Sequence, residues 1–312
     1  MITITEHIVL ADKTWFKTGG PARFYAEPTN AHEFAEAIQF ACERTLPLFI
    51  LGHGANILIS DHGFPGLVIR PRLLSITIHE HDQLVTAAAG VGVQDLIDHC
   101  IVHHHIGLEE FSGIPGTVGG SVYINIHYFE FLLDQFLVKA RVIHHQTGQI
   151  EEVTREWFGF GYNTSRLLSK DYYLVDATFR VTKVSPEKAA YAQGRRDEII
   201  RHRRQRYPAE RTCGSFFRNF LPHELGAARI EKPLPYIAFY LDNLGVKGQL
   251  SFGGASVSRH HANMIVTGPD ATSADVIALA RAMQQRVKDR FGLLPQAECQ
   301  FIGFKGNPLL EI

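Results

Sequence analysis

Two coils rich in glycine carry the clearest chemical signal in the sequence. Residues 52–56 (Gly-His-Gly-Ala-Asn) follow a short apolar run, and residues 111–123 contain four glycines within eight positions. Successive backbone N–H groups that no Cβ shields can bind an anion such as a phosphate. Neither coil has the spacing of the dinucleotide-binding fingerprint, which argues against a Rossmann fold. Each coil alone is compatible with an ordinary tight turn, but together they predict a pyrophosphate held by the main chain.

The elements around these coils follow from apolar periodicity. Residues 30–44 are predicted to form a helix that Asn30 caps, with Glu33 at the capping-box position. Helices are also predicted at residues 93–104, from Ser185-Pro186 onward, and at residues 272–291, between a Thr272 cap and Gly292. Strands are predicted at residues 47–51, 66–70, 75–79, 84–89, 137–144, 149–153 and 172–182. Because helices and strands do not alternate regularly, the predicted fold class is α+β.

Length, charge and cysteine content narrow the range of functions. A chain of 312 residues usually divides its core, and we place a domain boundary near residue 185. The net charge of −1 gives no overall attraction to nucleic acid or to a membrane surface. We find no signal-peptide pattern and no apolar run of membrane-spanning length. The four cysteines form no CxxC pair, so a reduced protein of the cytoplasm is expected.

Histidine and arginine are abundant but give weak functional signals. The seventeen histidines include runs at 103–105, 144–145 and 260–261, yet none has the helical spacing with a glutamate that zinc hydrolases use. We therefore predict no metal site and exposed polar histidines, with a metal-dependent hydrolase as the minor alternative. Six arginines between positions 195 and 206 could add positive potential, but much of this cluster is predicted to be a solvated helix face. The segment lacks interleaved aromatic residues, so it is weak evidence for RNA binding.

Six motifs resemble those of the UDP-N-acetylenolpyruvoylglucosamine reductase family. Three look like its FAD-binding segments: residues 17–22 (Lys-Thr-Gly-Gly-Pro-Ala), 52–60 (Gly-His-Gly-Ala-Asn-Ile-Leu-Ile-Ser) and 111–120 (Phe-Ser-Gly-Ile-Pro-Gly-Thr-Val-Gly-Gly). Downstream, residues 214–219 (Gly-Ser-Phe-Phe-Arg-Asn) resemble its proton-donor motif. Residues 253–258 with 261–266 resemble its substrate-domain block, and residues 298–303 resemble its C-terminal glutamate motif. Each motif alone is modest, but the match keeps the family's order and covers nearly the whole chain.

The resemblance implies a flavoprotein with two domains. It implies a two-lobed FAD-binding domain of the vanillyl-alcohol-oxidase (PCMH) type at residues 1–185, with lobes of about 1–72 and 73–185, and an α+β substrate-binding domain at residues 186–312. FAD is the implied cofactor, and NADPH is the implied hydride source. The implied cofactor contacts are Thr18, Gly19, Gly20, Gly52, His53, Gly54, Ala55, Asn56, Ile57, Ser112, Gly113, Ile114, Pro115, Gly116, Thr117, Gly119 and Gly120.

The family reaction reduces the enolpyruvyl double bond of a UDP-sugar and gives UDP-N-acetylmuramate. Hydride from the reduced flavin reaches C3, and an acid must protonate C2 while fixed donors stabilise the enolate. By position Ser215 matches the proton donor, and Glu298 matches the glutamate that acts at the substrate carboxylate; a turn serine and a solvated glutamate are the alternative readings. Tyr162, Arg218 and Asn219 match substrate-binding positions, where arginine suits a bidentate phosphate contact.

The sequence departs from the family pattern at three places. Asn163 stands where the pattern Tyr-Arg-x-Ser has arginine, and the loss of one such preorganised donor costs roughly 3 kcal/mol. Arg166, three residues further on, is the candidate substitute. Residues 125–128 read Asn-Ile-His-Tyr in place of the usual Asn-Ala-Gly-Ala, which puts His127 near the expected flavin ring. Ala55 replaces a usual serine in the first glycine coil.

Three functions therefore stay open at the level of sequence. The first is the family's own reaction. The second is a flavoprotein of the same fold whose chemistry is altered or weakened because Asn163 replaces the expected arginine. The third is a non-catalytic module that binds a nucleotide sugar or flavin. The expected partner is a small-molecule UDP-sugar, with no nucleic acid and no membrane, and the expected state is a cytoplasmic monomer.

Overall fold

The computed structural model describes residues 2–209 and 211–310. Within these residues the α-helices are α1 (Ala31–Glu43), α2 (Val93–Val102), α3 (Val118–Ile124), α4 (Pro186–Arg206), α5 (Ile237–Asn243) and α6 (Ser273–Phe291). The strands are β1 (Thr5–Val9), β2 (Pro21–Ala26), β3 (Leu48–Ile50), β4 (Ile57–Ile59), β5 (Phe64–Ile69), β6 (Ile76–His79), β7 (Leu84–Ala88), β8 (His105–Ile106), β9 (His127–Tyr128), β10 (Phe131–Leu132), β11 (Leu137–His144), β12 (Ile150–Thr154), β13 (Tyr172–Arg180), β14 (Thr182–Lys183), β15 (Ser251–Phe252), β16 (Ala255–Val257), β17 (Ile265–Thr267) and β18 (Gln300–Ile302).

The described residues divide into two compact units, each built from separate stretches of chain. The first unit contains residues 2–7, 23–53 and 65–203. The second unit contains residues 8–22, 54–64, 204–209 and 211–310. Each unit has its own cluster of buried apolar side chains. The predicted domain boundary near residue 185 and the predicted lobes stay predictions.

The first unit contains an antiparallel sheet with the order β12-β11-β13-β7-β6. Helix α1 begins where the sequence predicts, since the Asn30 side chain accepts a hydrogen bond from Glu33 N. The expected capping box is wrong in one detail: the Glu33 carboxylate accepts from Thr29 N (2.7 Å) and not from Asn30 N. Helix α1 buries its apolar stripe, and α2 does the same with Val93, Leu96, Ile97, Cys100 and Ile101.

The second unit contains the sheet β15-β16-β17 and the parallel pair β4 and β18. Helix α6 packs its apolar face into the core of this unit. Thr272 and Asp275 form a capping box at its start, and Gly292 ends it in the left-handed conformation, with φ of 75°. The sequence predicts this helix and both of its ends.

The predicted class, α+β, is confirmed, and the long elements lie where periodicity places them. The sequence missed α3, which lies inside the second glycine coil, and it missed α5, the strands β1 and β2, and most two- and three-residue strands. Short elements carry too few residues to show a period, and two glycines in the first turn of α3 reduce its helix propensity.

Candidate active site

The first glycine coil leaves its backbone amides open. The coil follows β3, which ends at Ile50. Among the described residues, the backbone amides of positions 52 to 56 have no hydrogen-bond partner. In the first unit, Gly52 lies so close to the second coil that a Cβ on it would come within 2.6 Å of Thr117 Oγ1. Gly52, at the start of the first coil, therefore lies next to Thr117 of the second coil. Burial, with a smaller contribution from Arg70, lowers the pKa of His53, so its imidazole is neutral at pH 7.

The second glycine coil uses most of its amides within the chain. The amides with partners are those of Ser112, Gly113, Ile114, Val118, Gly119 and Gly120. Pro115 has no N–H, and the amides of Gly116 and Thr117 have no partner in the described part of the chain. The coil therefore has fewer open amides than its four glycines suggest, because turns and two side chains use the others. Thr117 Oγ1 accepts from Gly120 N (3.2 Å), and Gln94 Oε1 accepts from Gly113 N (2.8 Å). No sequence motif singled out Gln94.

Asn163 lies in a tight turn between Gly161 and Thr164. Gly161 N donates to Thr164 O (3.1 Å), and Asn163 has φ of 52°. Its Nδ2 is buried and has no hydrogen-bond partner among residues 2–209 and 211–310. Asn125 Nδ2 donates to Gly161 O (3.3 Å) and so holds the turn. Asn125 is the C-cap of α3, which begins in the second glycine coil, so this one helix connects the coil to the turn.

The side chains around this turn bring little positive charge. The Arg166 guanidinium lies over the Trp157 ring, 4.7 Å from its centroid, so its charge is already engaged in a cation–π contact. The His127 and Tyr162 rings lie 5.1 Å apart. Burial lowers the pKa of His127, so this imidazole is uncharged at neutral pH. His127 therefore does not replace the charge of the expected arginine.

The segment from Lys17 to Gly20 packs within the second unit. Thr18 is buried, and its hydroxyl accepts from Ser273 Oγ (2.8 Å) at the start of α6. A Cβ on Gly20 would come within 2.2 Å of Asp61 O, so close backbone packing accounts for this glycine. Cofactor contacts stay predictions for Thr18, Gly19, Gly20, Gly54, Ala55, Asn56 and Ile57.

Ser215 and Glu298 lie on neighbouring extended segments of the second unit. Phe216 N donates to Asn263 O (2.8 Å). The amides of Glu298 (2.8 Å) and Cys299 (3.3 Å) both donate to Phe216 O. Two consecutive residues opposite one is β-bulge geometry, which is frequent next to active sites because it re-aims a side chain. The peptide groups of Phe216 therefore bring the two predicted catalytic residues onto adjacent segments.

Buried side chains and the hydrogen bonds of Asn263 hold the segment that carries Ser215 in place. Phe216 and Phe217 are almost completely buried. The Asn263 side chain accepts from Phe217 N (3.1 Å) and donates to Phe217 O (2.7 Å), which fixes the backbone two residues after Ser215. Burial, reinforced by a hydrogen bond with Cys213, raises the pKa of the Cys299 thiol well above its usual value. The sequence placed Asn263 in a motif without a role and assigned none to either cysteine.

Arg218 and Asn219 follow on the same segment. Arg218 forms a bidentate ion pair with Glu224, at 2.7 and 2.8 Å, and donates to Asn219 O (3.0 Å). The hydrogen bond from Arg218 lowers the pKa of Glu224 to about 2. The Asn219 side chain accepts from Ile237 N (3.4 Å), at the start of α5. Both predicted substrate-binding side chains thus have partners within the protein.

The histidines are distributed through the molecule. His105 is fully buried, with its Nδ1 2.8 Å from His103 O, so the expectation that the histidines are exposed is wrong there. Across residues 2–209 and 211–310, no three side chains of His, Cys, Asp or Glu come together in a group that could hold a metal ion. In the same residues, no helix is both long enough and apolar enough to cross a membrane.

Known proteins resemble this chain along nearly its full length. The family model for the C-terminal domain of UDP-N-acetylenolpyruvoylglucosamine reductase matches residues 205–302, and a model for an FAD binding domain matches residues 22–154. The UDP-N-acetylenolpyruvoylglucosamine reductase of Trichormus variabilis is 34% identical over 302 residues, which are 96% of this chain and 86% of the relative. That of Synechocystis sp. is 35% identical over 298 residues, 94% of this chain and 89% of the relative.

A solved structure supports the same assignment. The crystal structure of UDP-N-acetylenolpyruvylglucosamine reductase (MurB) from Thermus caldophilus superimposes with a TM-score of 0.77 at 25% identity. The alignment covers 97% of this chain and 100% of that one. The fold, the glycine coils and the full-length identity of more than 30% therefore agree, and the chain belongs to the UDP-N-acetylenolpyruvoylglucosamine reductase family.

Proposed function

We propose that this chain is an FAD-dependent oxidoreductase that uses NADPH to reduce UDP-N-acetylglucosamine enolpyruvate to UDP-N-acetylmuramate, a precursor of peptidoglycan. The observation that carries the proposal is the Phe216 backbone, which holds Ser215 and Glu298 on adjacent segments of the second unit. A hydroxyl and a carboxyl carried on neighbouring segments are suited to protonating an enolate. Family membership does not favour the alternatives of weakened chemistry or a non-catalytic binding module.

The residues of the first unit fit FAD. The free amides of Gly116 and Thr117 lie beside Gly52, and such amides suit a diphosphate. The buried Asn163 Nδ2 is a donor without a partner in the described residues, which a flavin or substrate oxygen can satisfy. When bound and reduced by NADPH, FAD would supply the hydride that adds to C3 of the enolpyruvyl group.

Side chains of the protein supply the proton to C2 and stabilise the negative charge of the enolate. Ser215 gives the proton that C2 requires; a serine hydroxyl is a weak acid, but an enolate is a strong base. Glu298 is half-buried and orients the substrate carboxylate or shares its proton. Asn163 donates from Nδ2 to the oxygen on which enolate charge develops. The hydrogen bond from an amide is weaker than that from an arginine, but it needs no counter-charge.

The substrate is held by Tyr162, Arg218 and Asn219. Tyr162 is 44% exposed, so its ring is accessible to a ligand. A diphosphate at Arg218 shares the guanidinium with Glu224 or displaces it. We further propose that the enzyme acts in the cytoplasm, which the four free cysteines support. The monomeric state stays a prediction.

Ser215→Ala tests the proposal through the two half-reactions. In a stopped-flow instrument, the variant should bind FAD and be reduced by NADPH at the wild-type rate. Reoxidation of the reduced enzyme by UDP-N-acetylglucosamine enolpyruvate should be about a hundredfold slower or more, because the proton donor is missing.

Ser251→Ala is the matched control, since Ser251 is exposed on β15 of the same unit. It should leave both half-reactions unchanged. If Ser215→Ala is reoxidised at the wild-type rate, Ser215 is not the donor. If wild-type protein takes up no FAD, or if the substrate does not reoxidise it, the proposed activity is wrong.

A further inference from the structure

The Gln94 side chain binds the turn formed by residues 111–114 of the second glycine coil. The Gln94 Nε2 group donates to Phe111 O (3.2 Å) and to Ile114 O (2.8 Å), and its Oε1 accepts from Gly113 N (2.8 Å) and from Arg196 Nη1 (2.9 Å). These four bonds use both donors and both acceptor sites of the side-chain amide. The amide orientation is therefore fixed, because a flip would set its NH₂ group against Gly113 N–H and the guanidinium.

Arg196 in turn is fixed by the helix that carries Gln94. Its Nε and Nη2 bind the two carboxylate oxygens of Asp98 at 2.6 and 2.7 Å. Asp98 lies one helical turn after Gln94 on α2. The Arg196 side chain is only 7% exposed, so this ion pair is poorly screened on the arginine side. Arg196 thus joins α4 to α2 and delivers one N–H to Gln94.

Other residues of α4 pack on the same coil. A Cβ on Gly113 would lie 2.9 Å from Arg203 Cδ and 3.6 Å from Ile200 Cγ1. Arg196, Ile200 and Arg203 have the i, i+4, i+7 spacing of one helix face. Arg196 and Arg203 therefore face the coil and are exceptions to the prediction that much of this arginine cluster is a solvated helix face. One face of α4 supports the coil.

Gln94 and Arg196 form a clamp on the coil just before the open amides of Gly116 and Thr117. Gly116 O accepts from Val93 N (3.0 Å), so consecutive α2 residues hold the coil on both sides of Pro115. The amides of Gly116 and Thr117 follow directly after this fixed segment. A site whose donors are oriented before binding loses less entropy when the ligand binds.

We propose that Gln94 is a positioning residue for cofactor binding, which orients the Gly116 and Thr117 amides toward the diphosphate of FAD, and that Arg196 acts through Gln94. The inference rests on the proposed function, since it takes FAD as the ligand. Without the Gln94 amide, Phe111 O, Ile114 O and Gly113 N lose a half-buried partner, and the turn keeps only its own Ile114 N to Phe111 O bond (3.2 Å).

The test compares Gln94→Met, Arg196→Lys and the double variant with wild type. Methionine keeps the length of the side chain and removes every hydrogen bond. FAD affinity is measured on stripped apoprotein by quenching of flavin fluorescence, and the Tm of each apoprotein is measured separately. We expect Gln94→Met to bind FAD about tenfold or more weakly. Its apoprotein Tm should also fall, because four hydrogen bonds are lost, so FAD affinity is measured well below that Tm, where every apoprotein is folded. Arg196→Lys should weaken binding less, and the double variant no more than Gln94→Met.

Gln193→Ala is the matched control, because Gln193 lies on α4 and its side chain bonds, within the described residues, only to Asp197 (2.9 Å) on the same helix. It should bind FAD like wild type. Wild-type affinity in Gln94→Met overturns the role of Gln94, and additive losses in the double variant overturn the action of Arg196 through it. If wild-type protein binds no FAD, the proposed function fails together with this inference, whereas intact wild-type binding with an unaffected Gln94→Met overturns the clamp alone.

Discussion

Asn163 lies in the tight turn between Gly161 and Thr164. The sequence presents it as the loss of an arginine. The structure adds that φ is 52° at the third residue of a four-residue turn, where asparagine is among the few non-glycine residues that fit well. Its Nδ2 is the donor that the turn leaves without a partner in the described chain. The asparagine therefore matches its backbone and offers a donor, although it carries no charge.

Asn163→Asp tests whether this donor acts on the enolate. Aspartate keeps the shape and tolerates the left-handed conformation, but it replaces a donor by negative charge. Reoxidation of the reduced flavoenzyme by substrate should slow about a hundredfold or more, while FAD binding and reduction by NADPH stay near wild type. Stopped-flow absorbance of the flavin measures all three properties.

Arg166→Ala completes this comparison. Because the guanidinium lies over Trp157, the variant should react at close to the wild-type rate. A large loss in Arg166→Ala with little loss in Asn163→Asp would mean that Arg166, and not Asn163, supplies the stabilising group.

At the scale of elements, predictability depends on how much of the signal is local. Helices α1 and α6 have side-chain caps, and α1, α2 and α6 all have apolar stripes within their own sequence, so periodicity predicts all three. The bulge at Glu298 and Cys299 has no local signal, because its partner, Phe216, is more than 80 residues away. Sequence motifs therefore identify Ser215 and Glu298 as candidates, but not the backbone bonds that hold them.

Gln94 illustrates the same limit within the first unit. It occupies the second position of α2, where a polar residue is unremarkable. Its four hydrogen-bond partners come from the coil after α2 and from α4, about 20 and 100 residues later. Only tertiary structure brings these partners together, so no pattern in the sequence could assign its role.

The ion pair between Glu224 and Arg218 should make the free energy of unfolding depend on pH. Glu224 ties the 3₁₀ helix Pro222–Ala227 to Arg218 and also accepts from Leu221 N (2.7 Å). Its pKa is lowered from 4.5 to about 2, so its contribution is fully present above pH 4.5 and is lost as the pH falls toward 2. Glu224→Gln should lower the free energy of unfolding by about 1 to 2 kcal/mol at pH 7, with allowance for partial solvent screening.

Urea unfolding of wild type and variant between pH 7 and pH 3 provides the measurement. The difference between the two proteins should shrink below pH 4.5. Glu80→Gln is the control, because Glu80 pairs with Lys183 at an exposed site, and its effect should be much smaller. A difference for Glu224→Gln that stays constant with pH would contradict the assignment.

At the scale of the whole molecule, the division into units is the feature least accessible from sequence. Residues 8–22 and 54–64 belong with the C-terminal part of the chain. One reason is that β4 pairs in parallel with β18, and another is that Thr267 Oγ1 donates to Phe16 O (2.5 Å). Contacts between such distant segments produce no periodic pattern in the sequence.

FAD should raise the thermal stability of the folded chain. A ligand that binds only the folded state adds about 2.7 kcal/mol at a concentration 100 times its Kd. For a chain of 312 residues this corresponds to an increase of about 3 to 5 °C in the apparent Tm of stripped apoprotein. Riboflavin, which has the same ring but no diphosphate, should give little increase at the same concentration, because the amides of Gly116 and Thr117 then have no anion to bind. Differential scanning fluorimetry over a series of FAD and riboflavin concentrations measures both. Equal increases with the two ligands would place the binding energy in the ring and contradict a diphosphate site built from the glycine coils.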